Sequence, residues 1–161
     1  MFQQEIYKGS LEEKYNIVTK QLDALLTGEE DFIANLANAS ALLTQFLHDV
    51  NWVGFYLLKE EGLVLGPFQG LPACVRIPLG KGVCGTAVEK NTTMLVPDVH
   101  QFPGHIACDA ASRSEIVIPI RHQDSIVAIL DIDSPLPSRF TEEEQMYLEK
   151  FVAIIEKHIV N

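Results

Sequence analysis

Glu115-Ile-Val-Ile-Pro-Ile-Arg121 and Ile126-Val-Ala-Ile-Leu-Asp-Ile-Asp133, joined through His122-Gln-Asp-Ser125, read as two strands of one hairpin. From Ser125 to Leu130 the second strand is apolar on both faces, as a strand inside a sheet must be. It then ends in Asp131 and Asp133, two carboxylates on one face. Buried together, they repel, and burial raises the pKa of each. A ligand ammonium between them relieves both costs; the alternative is that they face water or cap the turn at Ser134-Pro-Leu-Pro137. Glu115 opens the partner strand, and hairpin register decides whether it joins them. A two-residue turn places Glu115 and Asp131 on opposite faces. A three-residue loop, His122 to Asp124, places them across from each other. Pro119 marks a bulge or a side of the strand without a ladder.

Upstream of the hairpin lies Pro103-Gly-His-Ile-Ala-Cys108-Asp-Ala-Ala-Ser-Arg-Ser114, within an aperiodic stretch over 97–113. Long loops inside compact domains tend to carry function. Cys108 sits there between His105 and Arg113, and either cation would favour its thiolate. A second cysteine facing it could trap a sulfenic acid as a disulfide. Cys74 and Cys84 are available, against the simpler reading of free cysteines as small buried hydrophobes.

The rest of the chain builds a scaffold. Helical spacing runs over 10–27 (Leu11, Tyr15, Val18, Leu22, Leu25, Leu26, then Gly28) and over 30–48. The period changes at Asn51–Lys59, with Trp52, Gly54 and Tyr56 on one strand face and Val53, Phe55 and Leu57 on the other. Trp52 and Tyr56 flank a shallow slot over Gly54, or are plain core. A second strand runs Leu63–Gly70 with a break at Gly66-Pro67, and a short third covers Cys74–Ile77. Gly80–Lys90 is a glycine-rich entry into a short helix; it lacks the Gly-Lys-Ser/Thr ending of a phosphate loop. Met94–Val96 is a fourth strand. Thr141-Glu-Glu-Glu144, Thr at the cap with Glu three residues on, is a capping-box pattern that opens a last helix to about His158. Together these predict one α/β (α+β) domain over 1–161. Its sheet is mostly antiparallel, with the terminal helices on one face and a pocket under the short helix and long loop on the other.

The 161 residues are 47% hydrophobic, 21% charged and carry a formal net charge of −10. That balance disfavours nucleic acid. No apolar run approaches a membrane span, and no secretory signal is visible at the N-terminus, so three cysteines point to a reducing, cytoplasmic setting. There is no Cys-x-x-Cys and no His-x-x-x-His, and His100, His105 and His122 fall in different elements, so no metal is expected.

The chain resembles the stand-alone GAF-domain free methionine-(R)-sulfoxide reductases over nearly its whole length. The matching blocks are Asn51-Trp-Val-Gly-Phe-Tyr56, Gly66-Pro-Phe-Gln-Gly70, Cys74-Val-Arg-Ile77, Gly80-Lys-Gly-Val-Cys-Gly-Thr-Ala87, Phe102-Pro-Gly-His-Ile-Ala-Cys-Asp109, Ser112-Arg-Ser-Glu-Ile-Val117 and Leu130-Asp-Ile-Asp-Ser134. The resemblance implies reduction of the free amino acid sulfoxide. It makes Cys108 the nucleophile, Cys74 its disulfide partner and Cys84 an assistant or substitute. Trp52 and Tyr56 then flank the methyl sulfoxide end, and Glu115, Asp131 and Asp133 hold the substrate and supply a proton. It further implies no metal or organic cofactor, thioredoxin as electron donor, and a homodimer. The Cys108 loop is then expected to move between redox states. Two other readings share the fold: a GAF sensor for a small metabolite without turnover, for which the 161 residues show no output domain, and a redox-sensing interaction protein.

Overall fold

Helix α1 (Leu11–Leu26) starts where the Ser10 hydroxyl accepts the Glu13 amide, with Glu12 and Glu13 in the first turn. Helix α2 (Phe32–Phe46) starts on Asp31, which accepts the Ala34 amide at 2.8 Å. Each turns a stripe inward: Tyr15, Val18, Leu22 and Leu26 from α1; Leu36, Ala39, Leu43 and Phe46 from α2. The computed structural model describes residues 2–161.

The strands are β1 (Trp52–Lys59), β2 (Gly62–Gln69), β3 (Arg76–Ile77), β4 (Met94–Val96), β5 (Ser114–His122) and β6 (Ser125–Ser134). They form one sheet in the order β3-β2-β1-β6-β5-β4, with every neighbouring pair antiparallel. Helices α1, α2 and α4 (Glu142–Lys157) cover one face over Val53, Phe55, Ile116, Ile118, Leu130 and Ile132. The short helix α3 (Gly82–Lys90) and the long loop lie over the opposite face, which presents Trp52, Tyr56, Val117 and Ile129. The expected division into a packing face and a pocket face is therefore present.

Three local expectations need correction. Thr141 caps α4 by accepting the Glu144 amide, but the Glu144 carboxylate does not turn back to close a capping box. It accepts instead from the Tyr15 hydroxyl at 3.1 Å and the Arg139 guanidinium at 2.6 Å, tying α4 to α1. The break at Gly66-Pro67 is a bulge inside β2: Gly54 pairs with Phe68 and Tyr56 with Leu65, so two residues oppose Phe55. Only Arg76 and Ile77 of the third strand pair with β2. One further bond, from the Leu65 amide to the Val75 carbonyl, ends the ladder and leaves Cys74 in a loop.

The hairpin register answers the parity question in a way neither simple turn allows. The turn is the two-residue kind, with Gln123 and Asp124 both at positive φ (51° and 63°) and His122 paired to Ser125. Taken alone it would separate the acids. A bulge follows at once: Arg121 pairs with Ile126 but Ile120 pairs with Ala128, so Val127 is an extra residue. Parity is restored, Glu115 faces Asp133 and Val117 faces Asp131. On the other side Trp52 pairs with Asp133 and Gly54 with Asp131. Trp52, Asp133 and Glu115 thus form one row across three strands, and the next row is Gly54, Asp131 and Val117. Pro119 lies opposite Ile129, past the last pairing of β5 with β4, at Met94 and Val117.

Candidate active site

Glu115, Asp131 and Asp133 line a cleft on the pocket face together with Trp52, Tyr56, Cys84 and Cys108, while Cys74 stands behind the lining, bonded to Cys108. Burial, then the neighbouring charges of Asp131 and Asp133, hold the Glu115 carboxyl well above the usual carboxylate range. Burial, then Asp131 and Asp109, do the same for Asp133. Asp131 is pushed up by burial from 3.8 to about 6, restrained by hydrogen bonds with Glu115 and Cys84. Near neutral pH the cluster therefore keeps protons while presenting at least one carboxylate. The Asp131 Oδ1 atom is buried without a donor among the described residues.

Cys84, near the start of α3, lies over these acids, and its Sγ donates to Glu115 Oε1 at 3.7 Å. Burial, then the charges of Asp131, Glu115 and Asp133, raise its pKa well above that of a free thiol. Cys84 is therefore a protonated donor here, and it stands outside the disulfide.

Cys74 and Cys108 form that disulfide, with Cα atoms 5.6 Å apart. Each half of the bridge is tied to the start of β1. The Trp52 Nε1 donates to the Leu71 carbonyl at 3.1 Å, and the Tyr56 hydroxyl donates to the Cys74 carbonyl at 2.8 Å. The two rings stack with centroids 5.9 Å apart, and Phe68 stacks on Trp52 at 5.1 Å. The slot over Gly54 is not open as expected: a side chain there would collide with Phe68 and the Trp52 ring. The aromatic pair thus holds the Cys74 loop as well as walling the cleft.

On the other half, the Asn51 side-chain amide donates to Asp109 Oδ2 at 2.9 Å and to Ser112 Oγ at 3.1 Å, while Asp109 Oδ1 accepts the Ala111 amide at 2.8 Å. Ile106 seats against Gly82, where a φ of +61° strains any side chain and a Cβ would come within 3.2 Å of Ile106. His105 lines the cleft, but burial and then the nearby His100 lower its pKa, so it is a neutral imidazole near pH 7. Arg113 is exposed and not part of the lining. Neither residue flanks Cys108 with the cation that its neighbours in sequence suggested.

The Asn51 contacts carry a direct prediction. Asn51→Ala removes two hydrogen bonds, one to a charged acceptor, worth about 1–3 kcal/mol together. Amide exchange over 105–112 should accelerate at least about tenfold by mass spectrometry, with the sheet's protection unchanged. Unchanged exchange in that loop would remove Asn51 from its support.

The sequence profile of the GAF domain matches residues 31–159. Protein YtsP of Bacillus subtilis is 57% identical over 98% of both chains. The free methionine-R-sulfoxide reductase of Escherichia coli is 55% identical over 90% of this chain and 88% of its own. The solved structure of the free methionine-R-sulfoxide reductase from Neisseria meningitidis, in complex with its substrate, superposes with a TM-score of 0.92 at 41% identity, covering 98% of this chain and 95% of that one. The chain belongs to the GAF-domain free methionine-(R)-sulfoxide reductase family.

In this reductase-family member Trp52, Tyr56, Cys84, Cys108, Glu115, Asp131 and Asp133 line one cleft, Cys74 is joined to it through the disulfide, and Arg113 stays outside. Residues that the sequence did not single out are Asn51, Phe68, Ile106, Asp109 and Ser112. All five lie within the motif blocks and carry no pattern of their own beyond that. Ile106 is two residues from Cys108, and its contact depends on the loop folding over α3.

Proposed function

We propose that this oxidoreductase reduces free L-methionine-(R)-sulfoxide to L-methionine. The observation that carries the reading is the Cys74–Cys108 disulfide at a cleft lined by three carboxylates, Glu115 and Asp131 buried and Asp133 partly so. A disulfide beside a proton-rich acid cluster suits the resting, oxidised end of a thiol cycle.

The reaction follows from those groups. In the dithiol form the Cys108 thiolate attacks the sulfoxide sulfur. A carboxyl of the Glu115, Asp131 and Asp133 cluster protonates the sulfoxide oxygen, which makes the sulfur electrophilic enough for attack and weakens the S–O bond that must break. The oxygen passes to Cys108, methionine leaves as the thioether, and Cys108 becomes a sulfenic acid. Cys74 attacks that sulfur, and water departs as the disulfide forms. Thioredoxin restores both thiols by exchange, supplying the two electrons the sulfoxide consumed. An ionised member of the cluster holds the substrate ammonium, while Trp52 and Tyr56 wall the methyl sulfoxide end. The requirement for a free ammonium inside an enclosed acidic cleft excludes methionine sulfoxide within a peptide chain.

The test is NADPH oxidation in a coupled thioredoxin and thioredoxin reductase assay. The free R sulfoxide should turn over. N-acetyl methionine sulfoxide should be at least about a hundredfold poorer by kcat/KM, because the site pairs a buried charge that the acetylated compound leaves unmatched. No NADPH oxidation with the R sulfoxide, or equal rates on the N-acetyl compound, would overturn the reading.

A further inference from the structure

We propose that Cys84, Glu115 and Asp131 form a binding site for a borderline-soft divalent cation, zinc in class, in the disulfide form of the protein. The three come from α3, β5 and β6, so no ligand spacing in the sequence announces them. One donor atom from each lies within 4.8 Å of the other two. The residues are 4%, 5% and 6% exposed, and Asp131 Oδ1 lacks a donor among the described residues. Zinc bonds of about 2.0–2.3 Å put tetrahedral ligand atoms roughly 3.3–3.8 Å apart, so modest side-chain rotation draws these donors onto one ion.

Charge favours the same outcome. Three ionisable donors crowded within 4.8 Å of one another repel once they carry charge. A dication reverses that, because anions crowded around it attract it instead of repelling one another, and it displaces protons from the thiol and a carboxyl. Thiolate with two carboxylates selects zinc or cobalt over magnesium and calcium, which require all-oxygen shells of higher coordination number. A fourth position opens to the cleft for water. Cys84 is the one cysteine outside the disulfide, so its sulfur is available when Cys74 and Cys108 are not. If the catalytic reading above holds, the cation and the substrate ammonium compete for Asp131, and zinc is a reversible inhibitor; binding itself does not depend on that reading.

The experiment is a cobalt(II) titration of the full chain in its disulfide form, without reductant. One equivalent should bind, with a near-ultraviolet thiolate-to-cobalt charge-transfer band that zinc abolishes and magnesium leaves intact. Only Cys84 can supply that thiolate, so the wild-type protein alone decides the ligand. Cys84→Ser should lose the band, and both Cys84→Ser and Asp131→Asn should weaken cobalt binding at least tenfold. Absence of the band in the disulfide form, its appearance only after reduction, or its survival in Cys84→Ser would each overturn the site. Because the readout is optical, an enzyme inactive in the NADPH assay can still pass, and an active one can still fail.

Discussion

Cys108→Ser should reduce sulfoxide turnover by at least about a thousandfold, because a serine hydroxyl is ionised far less than a thiol and the sulfoxide sulfur needs a soft nucleophile. Cys74→Ser should behave differently. Its Cys108 remains able to attack, so one equivalent of methionine forms per protein and then the enzyme stalls as a sulfenic acid. Multiple turnover with thioredoxin should fall by a similar factor, while the single-turnover burst survives. Cys84→Ser should retain the Cys74–Cys108 bridge and most of the burst, since the Cys84 sulfur donates to Glu115 at 3.7 Å and stands outside the disulfide. Quenched-flow measurement of methionine, with mass spectrometric mapping of the sulfenic acid and disulfide, separates the three variants. Full turnover by Cys108→Ser would remove the nucleophile, and a missing burst in Cys74→Ser would show that both thiols are needed before methionine is released.

Much of this site can be read from residue order, and the part that cannot has a common cause. Period-2 alternation fixes which side of β1 carries Trp52 and Tyr56, and helical spacing fixes the buried stripes of α1 and α2. Those signals are local. The position of Glu115 relative to Asp131 is not local, because it depends on a turn and on the Val127 bulge that offsets it. A bulge costs one unpaired residue and carries no composition signal in Ser125-Ile-Val-Ala-Ile, where every residue suits a strand. Loop contacts were equally silent. Asn51 as a support for the Cys108 loop, and Tyr56 as the donor to the Cys74 carbonyl, require the fold before the pairing can be seen. The cations beside Cys108 fail for the opposite reason: closeness in the chain says little about side-chain direction in a loop, and Arg113 points away.

Asp131→Asn should make the protein more stable and less active, and the stability gain should grow with pH. The Asp131 carboxyl is buried and held at about 6 against an ordinary value of 3.8. Below pH 3.8 the group is protonated in both folded and unfolded chains, and its burial carries no ionisation cost. As pH rises through 6 the unfolded chain ionises first, so stability is lost across that window and stays lost above it. The difference between 3.8 and 6 corresponds to about 3 kcal/mol by pH 8. Asparagine does not titrate, and removing the charge also relieves Glu115 and Asp133, whose pKa values Asp131 raises. For a chain of this length each kcal/mol moves Tm by about 2–4 °C, so the variant should melt roughly 6–12 °C higher than the parent at pH 8 and nearly level with it at pH 4. The cost appears in catalysis. An amide cannot pair with a buried ammonium, so KM for the free sulfoxide should rise about 10–100-fold. A fall in kcat at unchanged KM would instead assign Asp131 to proton transfer. A buried carboxylate that destabilises its own fold at working pH is retained for what it binds. Melting curves of parent and variant from pH 4 to pH 8, set beside their steady-state kinetics, test both halves, and equal Tm differences at the two ends of that range would contradict the proposed burial cost.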